Sequence, residues 1–297
     1  MKKIKLITIV GTTASGKSSL GIDHAEHYKS EVVSADSRQV YKHLDLGTGK
    51  VTPEETARVK HHLIDILELN EPFSMAEFQK LAYEAIDGIW ARGLLPFMVG
   101  GTGLYTRSVV EGYNLVDAPP DEELRKKLSE KNTDELRQIL SEYGVTDIPL
   151  ETSERRMVRM IEKRMAGFDT ENESSPHYDV LQLGLTWDRE TLYRRIAERL
   201  DLRIEEGMIE EVEEVMRLGA TPEFLEKLGL EYRYTYRYLV GRYSSKQEYR
   251  DDLYKEICHF AKRQGTWFRK EKNIVWLDSA GDYLSQSKQL IDGFLEN

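Results

Sequence analysis

Residues 11–18, Gly-Thr-Thr-Ala-Ser-Gly-Lys-Ser, have the types and spacing of a phosphate cradle. Gly11 and Gly16 bracket four small residues, Thr12, Thr13, Ala14 and Ser15, and let the backbone turn several N–H groups inward. A helix starting just after them would add the positive end of its dipole. Lys17 brings a point charge to the terminal phosphate, and the Ser18 hydroxyl is suited to ligate Mg2+. The pattern specifies a phosphorylated ligand without saying which one. The apolar strand ending in Asp that helps hold Mg2+ in NTP-hydrolysing proteins has no counterpart, because Leu94–Val99 runs into Gly100-Gly101-Thr102-Gly103. The first strong acid near a strand end is Asp36, in Val33-Ser-Ala-Asp36-Ser37-Arg38-Gln39-Val40-Tyr41. In a parallel sheet, residues just past strand C-termini line the ligand crevice, so Asp36 and Thr102 are expected near the phosphate loop.

These groups need a scaffold. Ile4–Val10 reads as a buried strand leading into the loop, and Ser18–Tyr28 as the helix leaving it. Glu31–Ser34 and Leu94–Val99 read as further strands. Thr52, Pro53 and Glu55 mark a helix start, and Ser74 with Glu77 a capping box opening a helix to about Arg92. Such alternation predicts an α/β fold with a parallel sheet flanked by helices, of the P-loop type. The texture changes near Asp117-Ala-Pro-Pro120. From there to about Pro176 the chain is charged and helical in pattern, without a convincing strand. The expected organisation is therefore a core of residues 1–118 plus 179–297 and a helical insertion of residues 119–178. Leu181–Leu185 restores a strand, Asp188 caps a long helix ending near Gly207, and Asn273–Leu277 is a late strand before a final helix.

The 297 residues carry 42 Lys+Arg against 52 Asp+Glu, a net charge of −10, which taken alone opposes nucleic-acid binding. The basic residues are clustered, however. Arg155, Arg159 and Lys163 recur every four residues beside Arg156, with Met157, Met160 and Ile161 as the apolar side of the same helix. Arg233, Arg237 and Arg242 interleave with tyrosines, and Lys262, Arg263, Arg269 and Lys270 surround Trp267 and Phe268. Such segments suit phosphates and unpaired bases, and equally suit a solvated helix face or ordinary packing. The lone Cys258 excludes an internal disulfide and reads as a packed helix residue. Met1–Lys5 with Leu6–Val10 is too short for a signal peptide and no run spans a bilayer, so a cytoplasmic location is expected. His61-His62 is not a metal pair, since neighbours diverge on any regular element.

The order and spacing of GTTASGKS, SADSRQVYKHLDLGTGK (34–50), HHLID (61–65), LPFMVGGTGLY (95–105) and AKRQGTWFR (261–269) resemble the tRNA isopentenyl-transferase family, the bacterial tRNA dimethylallyltransferases, over nearly the whole chain. The resemblance implies transfer of a dimethylallyl group from dimethylallyl diphosphate to the exocyclic amine of the adenine just 3′ of the anticodon in tRNA. The phosphate loop would then hold a diphosphate, with Mg2+ on Ser18. Asp36 would be the general base, Thr13 and Thr102 would orient the amine or diphosphate, and Arg199 would contact the diphosphate. Asp36, Ser37, Arg38, Gln39, Thr102, Arg125, Arg155, Arg156, Arg159, Lys163, Arg233, Lys262 and Arg263 would meet the tRNA. No membrane or obligate protein partner is implied.

The sequence departs from the family pattern at Glu151-Thr152-Ser153 (commonly Pro-Asn-Asp), Glu231-Tyr232-Arg233 (Gly-Tyr-Arg) and Ile257-Cys258 (Thr-Arg). All three fall on segments expected to touch tRNA, none on the phosphate loop. Three other readings share the same loop: a small-molecule kinase with an Arg-rich lid, a cousin acting on free adenylate, and an RNA-binding module with a vestigial loop.

Overall fold

A computed structural model describes residues 3–115, 121–168 and 174–296. The boundary expected at Asp117–Pro120 lies outside them. The chain divides into two compact units, residues 1–111 with 176–297, and residues 112–175.

The first unit opens with β1 (Ile4–Gly11), α1 (Lys17–His27), β2 (Val32–Ser34), α2 (Pro53–Arg58), β3 (His61–His62), α3 (Met75–Ala91), β4 (Phe97–Gly100) and α4 (Gly103–Val110). The capping boxes at Thr52 and Ser74 form as expected: each side chain accepts from the third helical N–H, and that residue's glutamate returns the bond.

The second unit holds α5 (Glu122–Leu128), α6 (Thr133–Glu142) and α7 (Glu154–Met165). Its core is Leu128, Leu136, Leu140, Val145, Met157 and Ile161. The apolar side expected for the basic helix is thus buried, at Met157 and Ile161.

The first unit resumes with β5 (Tyr178–Thr186), α8 (Arg189–Glu205), α9 (Met208–Arg217), α10 (Pro222–Leu228), α11 (Leu230–Leu239), α12 (Lys246–Phe268), β6 (Ile274–Asp278) and α13 (Tyr283–Glu296). Tyr178, expected to end the insertion, is the first residue of β5. The strand expected at Leu94–Val99 is shifted to Phe97–Gly100, because Pro96 lacks the N–H a ladder needs.

All six strands are parallel, in the order β3-β2-β4-β1-β5-β6. Alternate residues of β1 serve opposite faces. Ile7 and Ile9 pack with Leu20 and Ile22 of α1 and Ile291 of α13, whereas Leu6 packs with Phe78, Ala82 and Ile86 of α3. A third apolar cluster joins α8 to α12 through Ile196, Leu200, Leu253 and Ile257, and takes in Cys258, 7% exposed, whose thiol burial pushes up in pKa. The sheet is thereby fixed from both sides, and the segments after β1, β2 and β4 emerge together at one end.

Candidate active site

Residues 11–18 wrap from the end of β1 into the first turn of α1. Gly16 has φ 94° and Ala14 φ 61°, both left-handed, so the loop coils back on itself. The loop is pinned from α8 and its approach: Trp187 Nε1 donates to the Ser15 carbonyl at 3.0 Å and Arg195 Nε to the Ala14 carbonyl at 2.9 Å. The Arg195 guanidinium lies 4.8 Å from the Trp187 ring centroid. The Ser15 hydroxyl is buried without a protein partner, as befits a loop shaped around a ligand.

Arg199, one turn past Arg195, donates to Thr13 Oγ1. From α12, Gln264 bridges two loops: its Oε1 accepts from Thr13 N at 2.8 Å and its Nε2 donates to the Gly101 carbonyl at 2.9 Å.

Past β2, Asp36 Oδ1 accepts from the backbone N–H of Arg38 at 2.9 Å, with Arg38 Nε at 3.7 Å. The end of β4 is held against it. Ala35 N donates to the Val99 carbonyl at 2.8 Å, and Ser37 N to Thr102 Oγ1 at 3.4 Å. Approach is so close at Gly100 that a Cβ there would collide with the Ala35 carbonyl oxygen. Gly103 similarly clears the Trp267 ring.

These pieces enclose a cavity of about 580 Å³. Of the residues named from sequence, Thr13, Lys17, Ser18, Asp36, Ser37, Arg38, Gln39, Thr102, Arg199, Arg233 and Arg263 line it. Gly11, Thr12, Ala14, Ser15 and Gly16 form the loop behind. Lys262 lies outside, lining neighbouring depressions with Trp267 on one side and Thr12 on the other. Arg125, Arg155, Arg156, Arg159 and Lys163 belong to the second unit. There Arg155 and Arg156 are exposed, but Arg125 and Arg159 converge on the buried Glu162 carboxylate at 2.7 and 3.1 Å. Nothing in the local sequence marks that pairing. Arg237 is likewise tied to Glu226 at 2.6 Å, Tyr232 is buried with its hydroxyl on Glu211, and Tyr238 stacks on Tyr249. Much of the arginine–tyrosine segment is therefore packing.

The electrostatics favour an anion. Burial first, then the Arg199 charge, lower the Lys17 pKa to about 8. Burial first, then Arg203, lower that of Arg199 to about 9. Cations crowded out of water are stabilised by the arrival of negative charge. Arg203 and Glu231, both lining the cavity, were missed from sequence. The four-residue spacing Arg195–Arg199–Arg203 on α8 would have found the first; nothing local marks Glu231.

Among the described residues no group of three or more His, Cys, Asp or Glu could hold a metal, and no helix is long and apolar enough to cross a membrane. A hard cation here would rest on Ser18 and on ligand phosphates, the mode that suits Mg2+.

The fold and loop define an α/β protein with a phosphate-binding loop at the head of its central strand. Residues 39–271 match the family model described as IPP transferase. A tRNA dimethylallyltransferase 2 from Treponema denticola is 44% identical over 278 residues, 91% of this chain and 93% of that one. A tRNA dimethylallyltransferase from Streptococcus agalactiae is 39% identical over the full length of both. Among solved structures, the tRNA isopentenylpyrophosphate transferase of Bacillus halodurans superposes with a TM-score of 0.77 at 36% identity, covering 99% of this chain and 97% of that one. A eukaryotic dimethylallyltransferase acting on tRNA gives 0.78 at 26% identity, covering 97% and 78%. The chain belongs to the IPP transferase family.

Proposed function

We propose that this chain transfers a dimethylallyl group from dimethylallyl diphosphate to the exocyclic amine of the adenine 3′-adjacent to the anticodon of a tRNA, releasing diphosphate. The observation that carries this reading is one cavity with a phosphate loop and Arg199 on one wall and Asp36 beside Thr102 on another. Hydrolysis of a nucleoside triphosphate would need no base facing an organic acceptor.

The chemistry follows from the residues. The amine nitrogen donates its lone pair to the allylic carbon, and the carbon–oxygen bond breaks with its electron pair going to the diphosphate. The loop N–H groups, Lys17 and Arg199 hold the charge that develops there. The Asp36 carboxylate takes the proton the amine must lose. Thr13, fixed by Arg199 and Gln264, and Thr102, fixed by Ser37 N, are placed to orient diphosphate and amine. Ser18, exposed at the cavity edge, would hold Mg2+, which when bound neutralises diphosphate charge.

We assign the tRNA grip to Ser37, Arg38, Gln39, Arg233, Lys262 and Arg263, and to residues 112–175 acting as the insertion through Arg125, Arg155, Arg156, Arg159 and Lys163. A grip on this scale suits a tRNA better than free adenylate. The test is to map the product: after reaction with tRNA and Mg2+, the dimethylallyl group should sit on the nuclease fragment carrying the adenine next to the anticodon, with one diphosphate released per group. Diphosphate release from donor without tRNA, at the same rate, would refute the reading.

A further inference from the structure

Glu231 stands at the start of α11 with its side chain only 8% exposed, inside the cavity wall. It faces two arginines from different elements. Oε2 is 3.2 Å from NH1 of Arg38, on the segment after β2, and Oε1 is 3.7 Å from NH1 of Arg203, on α8. Both arginines are accommodated by glycines. A Cβ at Gly229 would lie 2.8 Å from Arg38 NH1, and one at Gly49 would collide with Arg203 NH2. Gly49 has φ 62°, a conformation other residues rarely adopt.

Arg38 also touches Asp36, so a continuous chain of charge runs Asp36–Arg38–Glu231–Arg203. Arg203 then neighbours Arg199, the cation on the phosphate loop. Burial alone would depress both arginines, but the Asp36 and Glu231 carboxylates leave Arg38 raised, while Arg203 with Glu231 alone stays lowered.

We propose that Glu231 is a positioning residue that works through Arg38 and Arg203. It draws Arg38 away from full pairing with Asp36, keeping that carboxylate available as a base. It also offsets the Arg203 charge, so that the loop holds diphosphate firmly enough to stabilise departure and loosely enough to release it. This rests on the diphosphate reading above.

The test uses the full-length protein and inorganic diphosphate with Mg2+ as the probe, measured by calorimetry beside steady-state transfer and thermal melting. Glu231→Gln removes one buried negative charge while keeping the shape. Diphosphate should bind about tenfold tighter, because a single nearby charge is worth about that much in a partly buried site. The donor KM and kcat should fall together, leaving kcat/KM within a few-fold. Adding Arg203→Met should return diphosphate affinity to within about twofold of the parent, since the surplus cation goes with the carboxylate.

A purely architectural Glu231 would lower the melting temperature and leave diphosphate affinity unchanged or weaker, which would overturn the proposal. So would a double variant that keeps the tight binding. If Glu231→Gln fails to fold, Arg203→Met alone decides: weaker diphosphate binding with an unchanged melting temperature supports it, and unchanged binding overturns it. A parent protein that binds no diphosphate at all would refute the functional reading itself, a result distinct from any of these.

Discussion

Asp36 has a narrow task in the transfer: to accept a proton from an amine already held beside it. Its own grip on RNA should matter little. Asp36→Ala is expected to cut turnover by about 100-fold or more while tRNA affinity stays within a few-fold. Single-turnover rates and filter binding on the same preparation would check both, and retained turnover would remove Asp36 as the base. The loop residues and Asp36 were legible because backbone chemistry demands glycine, small residues and lysine at fixed spacing. Arg199 was reached only through the family resemblance. Glu231 and the Glu162 anchor of Arg125 and Arg159 were not legible, because carboxylates 193 residues from Arg38 and 37 from Arg125 reach them only through the fold.

At the scale of elements, the site depends on how closely β4 approaches the segment after β2. Gly100→Ala would force a Cβ against the Ala35 carbonyl. A loss of about 1–3 kcal/mol is expected from such overpacking, with a larger loss of transfer because Asp36 and Thr102 are displaced together. Thermal melting and transfer rates would show both. The seat of α1 against α13 predicts a pH dependence. His24, 2% exposed, pairs with Ser287 Oγ at 2.6 Å. Burial is the main cause of its pKa of about 4, against 6.5 for an exposed histidine. The folded state needs the neutral ring and the unfolded chain takes up the proton first. The stability is therefore complete above pH 6.5 and is lost as pH falls through about 4. At 1.4 kcal/mol per pH unit the contribution is about 3 kcal/mol. Denaturant melts between pH 7 and 4 should show that slope, and His24→Gln should flatten it. The strands flanking the phosphate loop were readable because buried parallel strands are compact apolar runs. The two-residue β3 was not, since two residues carry no periodicity. Tyr178 was assigned to the wrong side of a boundary because β5 begins with a residue equally at home in the charged stretch before it.

For the whole molecule, net charge and function pull in opposite directions. A chain of charge −10 gains from tRNA only where its cations are concentrated. Exposed Arg155 and Arg156 on α7 are two such cations, and neither is used by the diphosphate site. Replacing both with alanine should weaken tRNA binding and reduce the dependence of log affinity on log salt by roughly 0.7–0.9 for each phosphate that is no longer neutralised. Diphosphate affinity should not change. An unaltered salt slope would mean that this helix faces solvent.

Alkyl transfer to an adenine presented by tRNA is the central claim, and one assay tests it most directly. The protein is incubated with Mg2+ and dimethylallyl diphosphate, with unmodified tRNA in one tube and AMP in another, and the nucleosides are weighed by mass spectrometry. Dimethylallyl adenosine is expected from the tRNA tube alone. Product from AMP alone, or from neither in a folded sample that binds ATP, would contradict the claim.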